Sequence, residues 1–436
     1  MGHPEESSRG AATRRRRALA VGALLTLLLA VAACGNGDDD GSSNTPGPAD
    51  REELAQLLGP EDQASGEPVR IGMITDGMTQ AFDARDELRA VEATAQFWNE
   101  HRGGIGGRPI EVVSCETGAD PAGGTDCANQ MVDANVVAVA LGQSTVAESI
   151  WEPLHQAGIP SMFFQAAGDD LNADPDTSFV ISNPLTTAFG LPISVAEDEG
   201  TDEVAFVVID VPVAVTFFES FGQQILENAG LDYELVRVPP GTADMTSQMS
   251  EIVDSPAGVV QVIGNDAFCI AAFQGLSAAG YDGRITAISQ CITDATRQAI
   301  PADQLRGMYV TSMVALGAAD DPTYQLYEAV MSTYGQDVED VANNVPMVGY
   351  TVMATLATSL EGISGDITPA TVAQTIKAAP DQALPGGGGL TFRCGGSAMA
   401  TWPAVCTNQW LRATLDADGQ PADYEAVDST EILEGL

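Results

Sequence analysis

The sequence predicts an α/β protein built from two doubly wound, parallel-sheet lobes. Short apolar runs alternate with helix-periodic segments, stop at Asn183-Pro184, and begin again at Val204. At 436 residues the chain exceeds the size at which a single hydrophobic core usually stops growing. Beyond the N-terminal leader no apolar run approaches the ~20 residues of a membrane span. Two parallel sheets in one such chain imply a cleft between lobes.

The first set opens with Val69 to Thr75 (VRIGMIT), an apolar run that reads as a strand buried on both faces. Leu88, Val91, Phe97 and Trp98 mark one face of a helix, which Gly103 and Gly104 stop. Arg108 to Ser114 is the next strand, and a helix follows from about Pro121 to Asp133. The central stretch is Asn135 to Leu154. There the run Val136 to Leu141 breaks at Gly142, and helical spacing resumes at Ile150, Trp151 and Leu154. Thr145 and Glu148 fit a capping box, which places a helix start at Thr145. Free backbone N–H groups and the positive end of the helix dipole, beside the Ser144 hydroxyl, suit a carboxylate or another polar head group. Ile159 to Phe164 and Phe179 to Ser182 complete the set.

The second set runs through strands Val204 to Ile209, Tyr233 to Val238, Gly258 to Ile263, Ile285 to Ser289 and Met308 to Thr311. Helices separate them, one at Val215 to Ala229, one through Met249 and Ile252, and one carrying Cys269, Phe273 and Leu276. Tyr324 to Tyr334, Val348 to Leu360 and Thr371 to Ala378 read as three further helices. After the Gly386 to Gly389 loop, Leu390 to Leu415 reads as a hairpin, with Cys394 and Cys406 near its closed end.

Ligands of such sheets bind outside the carboxyl ends of strands. The candidate binding residues at those ends are Asp76 and Met78; Gln143, Ser144 and Thr145; Gln165, Ala166 and Gly168; Asp210; Asp266; and Gln290. Phe163, Phe164, Phe217 and Phe218 are candidate pocket walls or core.

The leader sets the compartment. Arg14 to Arg17 precede the apolar run Ala18 to Ala33, and small residues lead to Cys34, the pattern of a secretory signal. Gly35 to Pro68, rich in Gly, Asp, Ser and Pro, reads as a flexible tether. Six further cysteines permit 15 pairings. They fall into three sequence-local couples, and export favours oxidation, so Cys115–Cys127, Cys269–Cys291 and Cys394–Cys406 are expected. No CxxC or Cys/His pattern for a metal is present, and no cofactor is expected. The charge excludes another class: 18 Lys and Arg stand against 61 Asp and Glu, net −43, and Lys377 is the only lysine. Nucleic acid needs a basic footprint, so it is not a partner.

The ending Val31 to Cys34 resembles the lipobox of bacterial lipoproteins, whose cysteine is acylated and becomes the mature N-terminus. From about residue 69 to 415 the chain resembles the type I periplasmic binding proteins, especially the leucine/isoleucine/valine branch of ABC-transporter receptors. The resemblance rests on VRIGMITDG, FWNEHRGGIGGRPIEVV, VVAVALGQST, IPSMFFQAAG, GMYVTSMV with the following Asp321-Pro322, and GYTVMATLATSLEG, in that order and spacing. It implies a Venus-flytrap of two lobes joined by three crossovers, near Asn183, Thr311 and Pro385. Residues 1–33 are then the lipoprotein signal and 34–68 the lipidated tether. Residues 69–184 with 312–385 form lobe 1, and 185–311 with 386–436 form lobe 2. It also implies hinge closure on a small solute, docking onto permease subunits, and no enzyme activity.

The family's hydroxyl for the ligand carboxylate falls on Ser144, and its backbone-binding pair falls on Ala166 and Gly168. The family's acid for a ligand ammonium falls near Gln290 or Cys291, and its aromatic falls near Ala214. Asp76-Gly77-Met78-Thr79 stands where the family prefers Pro-x-Thr-Gly. A buried ammonium without a partner is costly. These departures point away from an ordinary branched-chain amino acid and toward a small polar or carboxylated, amino-acid-like solute. Asp266 and Asp294 are candidate replacements for the acid.

Two rival classes stand beside this reading. An enzyme using Ser144 and His155 lacks Gly-x-Ser-x-Gly, and His155 lies about three turns along the helix. A ligand-sensing surface lipoprotein working with a signalling partner is the alternative to transport, and neighbouring permease and ATPase genes separate the two.

Overall fold

The computed structural model describes residues 54–79, 83–166 and 168–436. The signal at 1–33, the acylation site Cys34 and the first part of the 34–68 tether lie outside the described residues.

Five short apolar runs make the first sheet: β1 (Val69–Thr75), β2 (Ile110–Glu116), β3 (Ala138–Leu141), β4 (Ser161–Gln165) and β5 (Ser178–Ser182). All pair in parallel, in the order β2-β1-β3-β4-β5. The chain lays β2 on one side of β1 and β3 on the other, which creates a topological switch point at the carboxyl ends of β1 and β3. Helices cover both faces, which is why β3 and β5 are buried along their whole length. Helix Arg85–His101 packs against helix Asn344–Ser359 on one face, and helices Pro121–Asp133 and Ala147–Gln156 pack together on the other. Side chains such as Phe97, Met73 and Tyr350 are fully buried there, each contributing about 1.5–3 kcal/mol.

The second sheet contains β6 (Glu203–Ile209), β7 (Asp232–Val238), β8 (Val259–Ile263), β9 (Arg284–Ala287) and β10 (Tyr309–Ser312), all parallel. The tail departs from the sequence expectation. β11 (Gln382–Ala383) pairs with β12 (Thr391–Phe392), whereas β13 (Gln409–Leu415) runs antiparallel to β10 and turns into β14 (Pro421–Asp428). The Asp416 carboxylate fixes that turn by accepting from the N–H groups of Asp418 and Gln420, and Gly419 takes φ +71°. The second sheet is therefore mixed, in the order β14-β13-β10-β9-β8-β6-β7. The exposed acidic residues Asp423, Glu425 and Asp428 lie in the edge strand β14, where charge discourages edge-to-edge pairing.

The chain passes between the sheets three times: between Ser182 and Glu203, between Ser312 and Pro322, and between Ala378 and Gln409. The middle passage returns helices Pro322–Tyr334 and Asn344–Ser359 to the first lobe. The bonded cysteines are Cys115–Cys127, Cys269–Cys291 and Cys394–Cys406, the three sequence-local couples. Among the described residues no helix is long and apolar enough to cross a membrane.

Candidate functional site

The carboxyl ends of the two sheets approach each other beside the crossovers and enclose a narrow crevice of about 20 Å³. From the first lobe it takes Gln143 after β3, Phe164 and Gln165 at the end of β4, and Asn344 at the start of its helix. From the second it takes Ser289 after β9, Thr311 and Ser312 at the end of β10, and Trp410 of β13. Among the described residues the carboxamides of Gln143, Gln165 and Asn344 have no side-chain hydrogen-bond partner. The Thr311 hydroxyl is buried and equally unpartnered. Buried polar groups are normally satisfied, so an unsatisfied one facing a crevice marks a place for water or ligand. Among the described residues no charged side chain lines the space.

Beside the crevice lies the switch point of the first sheet, and the chain fills it from within. The Asp76 side chain, fully buried, accepts four hydrogen bonds there. One carboxylate oxygen accepts from the hydroxyls of Thr117 (2.7 Å) and Ser144 (2.9 Å). The other accepts from the hydroxyl and the backbone N–H of Thr145, both at 2.9 Å. This differs from the capping box expected at Thr145 and Glu148. Helix Ala147–Gln156 begins two residues later, with Val146 as its N-cap and no side-chain cap. Thr145 leaves the helix because its hydroxyl and its amide both donate to the Asp76 side chain instead of serving a helix turn.

A second carboxyl group supports the same loop. Glu87 is buried beneath it, accepts from the Gln143 N–H at 3.0 Å, and lies 3.0 Å from the Thr75 hydroxyl. Burial pushes its pKa up to about 8, aided by the Asp76 charge and opposed by those two hydrogen bonds. A Cβ at residue 142 would stand 2.4 Å from the Glu87 carboxyl, so Gly142 is required by close approach.

The structure disperses the other candidates. Met78 is exposed, opposite Asp83 in an isolated bridge. Ala166 is buried and its carbonyl accepts from Asn172 at 3.1 Å. Gly168 caps the helix Asp169–Ala173, with Glu148 in the space a side chain would need. Asp210 is tied to Arg237 at 2.8 Å. Asp266 accepts from the Ala267 N–H at its helix start. Gln290 accepts from the Ser289 hydroxyl at 3.3 Å, and of the two only Ser289 reaches the crevice. His155 holds Asp174 and Thr177, away from Ser144. Phe164 is a pocket wall, whereas Phe218 packs with Phe189 and Phe206 in the core. Strand-end reasoning missed Thr311, Ser312, Asn344 and Trp410. Asn343-Asn344 after a loop was a legible helix start, but Trp410 carried no signal.

Residues 68–408 match the profile of a family described as periplasmic binding protein. The chain belongs to that family. Its members are solute-binding proteins, and the two-lobed fold is the type I form. Among curated proteins none matches the sequence. Solved structures share the fold at low identity. The branched-chain amino acid transporter substrate-binding protein LivJ of Streptococcus pneumoniae, crystallised with isoleucine, is 15% identical, with a TM-score of 0.65 over 83% of this chain and 99% of its own. An ABC transporter substrate-binding protein of Sphaerobacter thermophilus is 18% identical, with a TM-score of 0.66 over 84% and 100%. An ABC-transporter solute-binding protein of Rhodopseudomonas palustris, in complex with p-hydroxybenzoic acid, is 18% identical, with a TM-score of 0.65 over 83% and 98%. In this periplasmic binding protein the crevice lies between the lobes.

Proposed function

We propose that this periplasmic binding protein is the solute-binding lipoprotein of an ABC importer. It is held outside the cytoplasm by acylated Cys34, binds a small polar solute between its lobes, and delivers it to permease subunits. Residues 69–184 with 312–385 close against 185–311 with 386–436 about the crossovers. The observation that carries this reading is the crevice itself, which collects polar groups from both lobes that have no side-chain partner among the described residues. A solute bridging them favours the closed form by its differential affinity for it. The solved relatives named above hold an amino acid and an aromatic acid on one fold, so the fold does not fix the solute.

The test is to purify the full-length protein in detergent, identify the solutes it releases on denaturation, and measure their rebinding. A ligand at about 100 times its dissociation constant adds about 2.7 kcal/mol, a clear rise in melting temperature. No released solute, and no shift from any small polar compound, would exclude solute binding. Co-purification with a signalling partner instead of a permease would turn the reading toward sensing. Cys34→Ala should release the protein from the membrane, and retention would remove the anchor.

A further inference from the structure

Resting on that reading, we infer that the solute is uncharged and carries no carboxylate, because Asp76 permanently occupies the donor set at the switch point that an anionic head group needs. The donors that converge there are the hydroxyls of Thr117, Ser144 and Thr145 and the Thr145 amide, and all four point at one buried carboxylate. That side chain is inaccessible to solvent and part of the chain, so its effective concentration exceeds that of any free solute. The surroundings also repel an anion. Glu148 fills the space at Gly168, and Glu116 fills the space at Gly77. Among the described residues no lysine, arginine or histidine lines the crevice.

What remains open is neutral and can both donate and accept: the carboxamides of Gln143, Gln165 and Asn344, with the unpartnered Thr311 hydroxyl. Carboxamides and hydroxyls match hydroxyl, amide or urea groups of a solute without needing a counter-charge, and Phe164 and Trp410 offer apolar surface beside them. The ligand class is therefore a neutral polyol, amide or related polar compound. A free amino acid or an aromatic acid does not fit it.

The experiment uses the full-length protein and sodium acetate as the probe, read by melting temperature and calorimetry. Native protein should not respond to acetate. Asp76→Ala should melt several degrees lower, and acetate should restore much of the loss, with affinity at least about tenfold above that of native protein. Acetamide should not restore it, and adding Ser144→Ala should abolish the rescue. Asp76→Asn, which keeps the shape, should fall between native and Asp76→Ala and serves if the alanine variant does not fold. Native protein that binds acetate through Ser144, or a folded Asp76→Ala that ignores acetate, would overturn the inference. A carboxylated solute released from native protein would overturn it while leaving solute binding intact. An uncharged released solute would support both.

Discussion

The Ser144 hydroxyl donates to the Asp76 carboxylate at 2.9 Å, across the switch point between β1 and β3. A residue placed to hold a solute thus holds its own chain. Removing one of four donors to a buried carboxylate leaves that charge under-satisfied. A hydrogen bond to a charged group is worth about 1.5–3 kcal/mol. Ser144→Ala should therefore lower the stability of the solute-free protein by an amount of that order, measured by urea unfolding. Thr145→Val, which keeps the amide bond, should cost a similar amount. A Ser144→Ala protein as stable as native would show that the Asp76 contacts contribute little.

Glu87 gives the protein a pH dependence of definite sign. Its pKa in the folded protein is raised to about 8 from an ordinary 4.5, so the folded state holds this proton longer than the unfolded state does. Its contribution is fully present below about pH 4.5 and is lost progressively as pH rises toward about 8, at up to about 1.4 kcal/mol per pH unit. Glu87→Gln keeps a neutral acceptor for the Gln143 N–H and a group for the Thr75 hydroxyl. Relative to native protein it should flatten the decline in stability across that window. Parallel native and variant profiles would mean that Glu87 ionises as freely folded as unfolded.

The alternation of apolar runs with helical segments makes both sheets legible, and the run VRIGMIT coincides with β1 because nothing competes with so continuous an apolar stretch. Pairing was less legible than existence. The apolar run near Leu411 identifies a strand but not its partner, and β13 joins β10 and β14 rather than closing on β12. The Asp-Ala-Asp-Gly-Gln turn at 416–420 was the local signal for that hairpin. The Asp76 cluster was not readable, because its donors at 117, 144 and 145 converge only through the order β2-β1-β3. The same convergence explains why Thr145, a good cap in isolation, lies outside the helix.

The disulfides should differ in what they do for the site. Cys269–Cys291 ties helix Asp266–Ala279 to the turn Ser289–Cys291, and Ser289 lines the crevice. Cys115–Cys127 ties β2 to helix Pro121–Asp133, and neither cysteine lines the crevice. Replacing either pair with serine should destabilise the fold by about 2–4 kcal/mol. Only the Cys269→Ser/Cys291→Ser protein should also lose solute affinity at a temperature where both remain folded, as calorimetry can measure. Equal losses from the two pairs would detach the turn from binding.

Thr311 separates stability from binding more directly. Its hydroxyl is buried without a partner, and it lines the crevice. A buried polar group left unpaired costs about 1–3 kcal/mol, and valine keeps the branched shape while removing the cost. Thr311→Val should therefore leave the solute-free protein as stable as native or more so, while reducing the rise in melting temperature that the co-purified solute produces. Thr351 provides the control, since its hydroxyl is also buried and unpartnered but lies within helix Asn344–Ser359, away from the crevice lining. Thr351→Val should raise stability and leave solute binding untouched. If both variants bind as native does, the Thr311 hydroxyl faces no solute and the crevice is not where the solute sits.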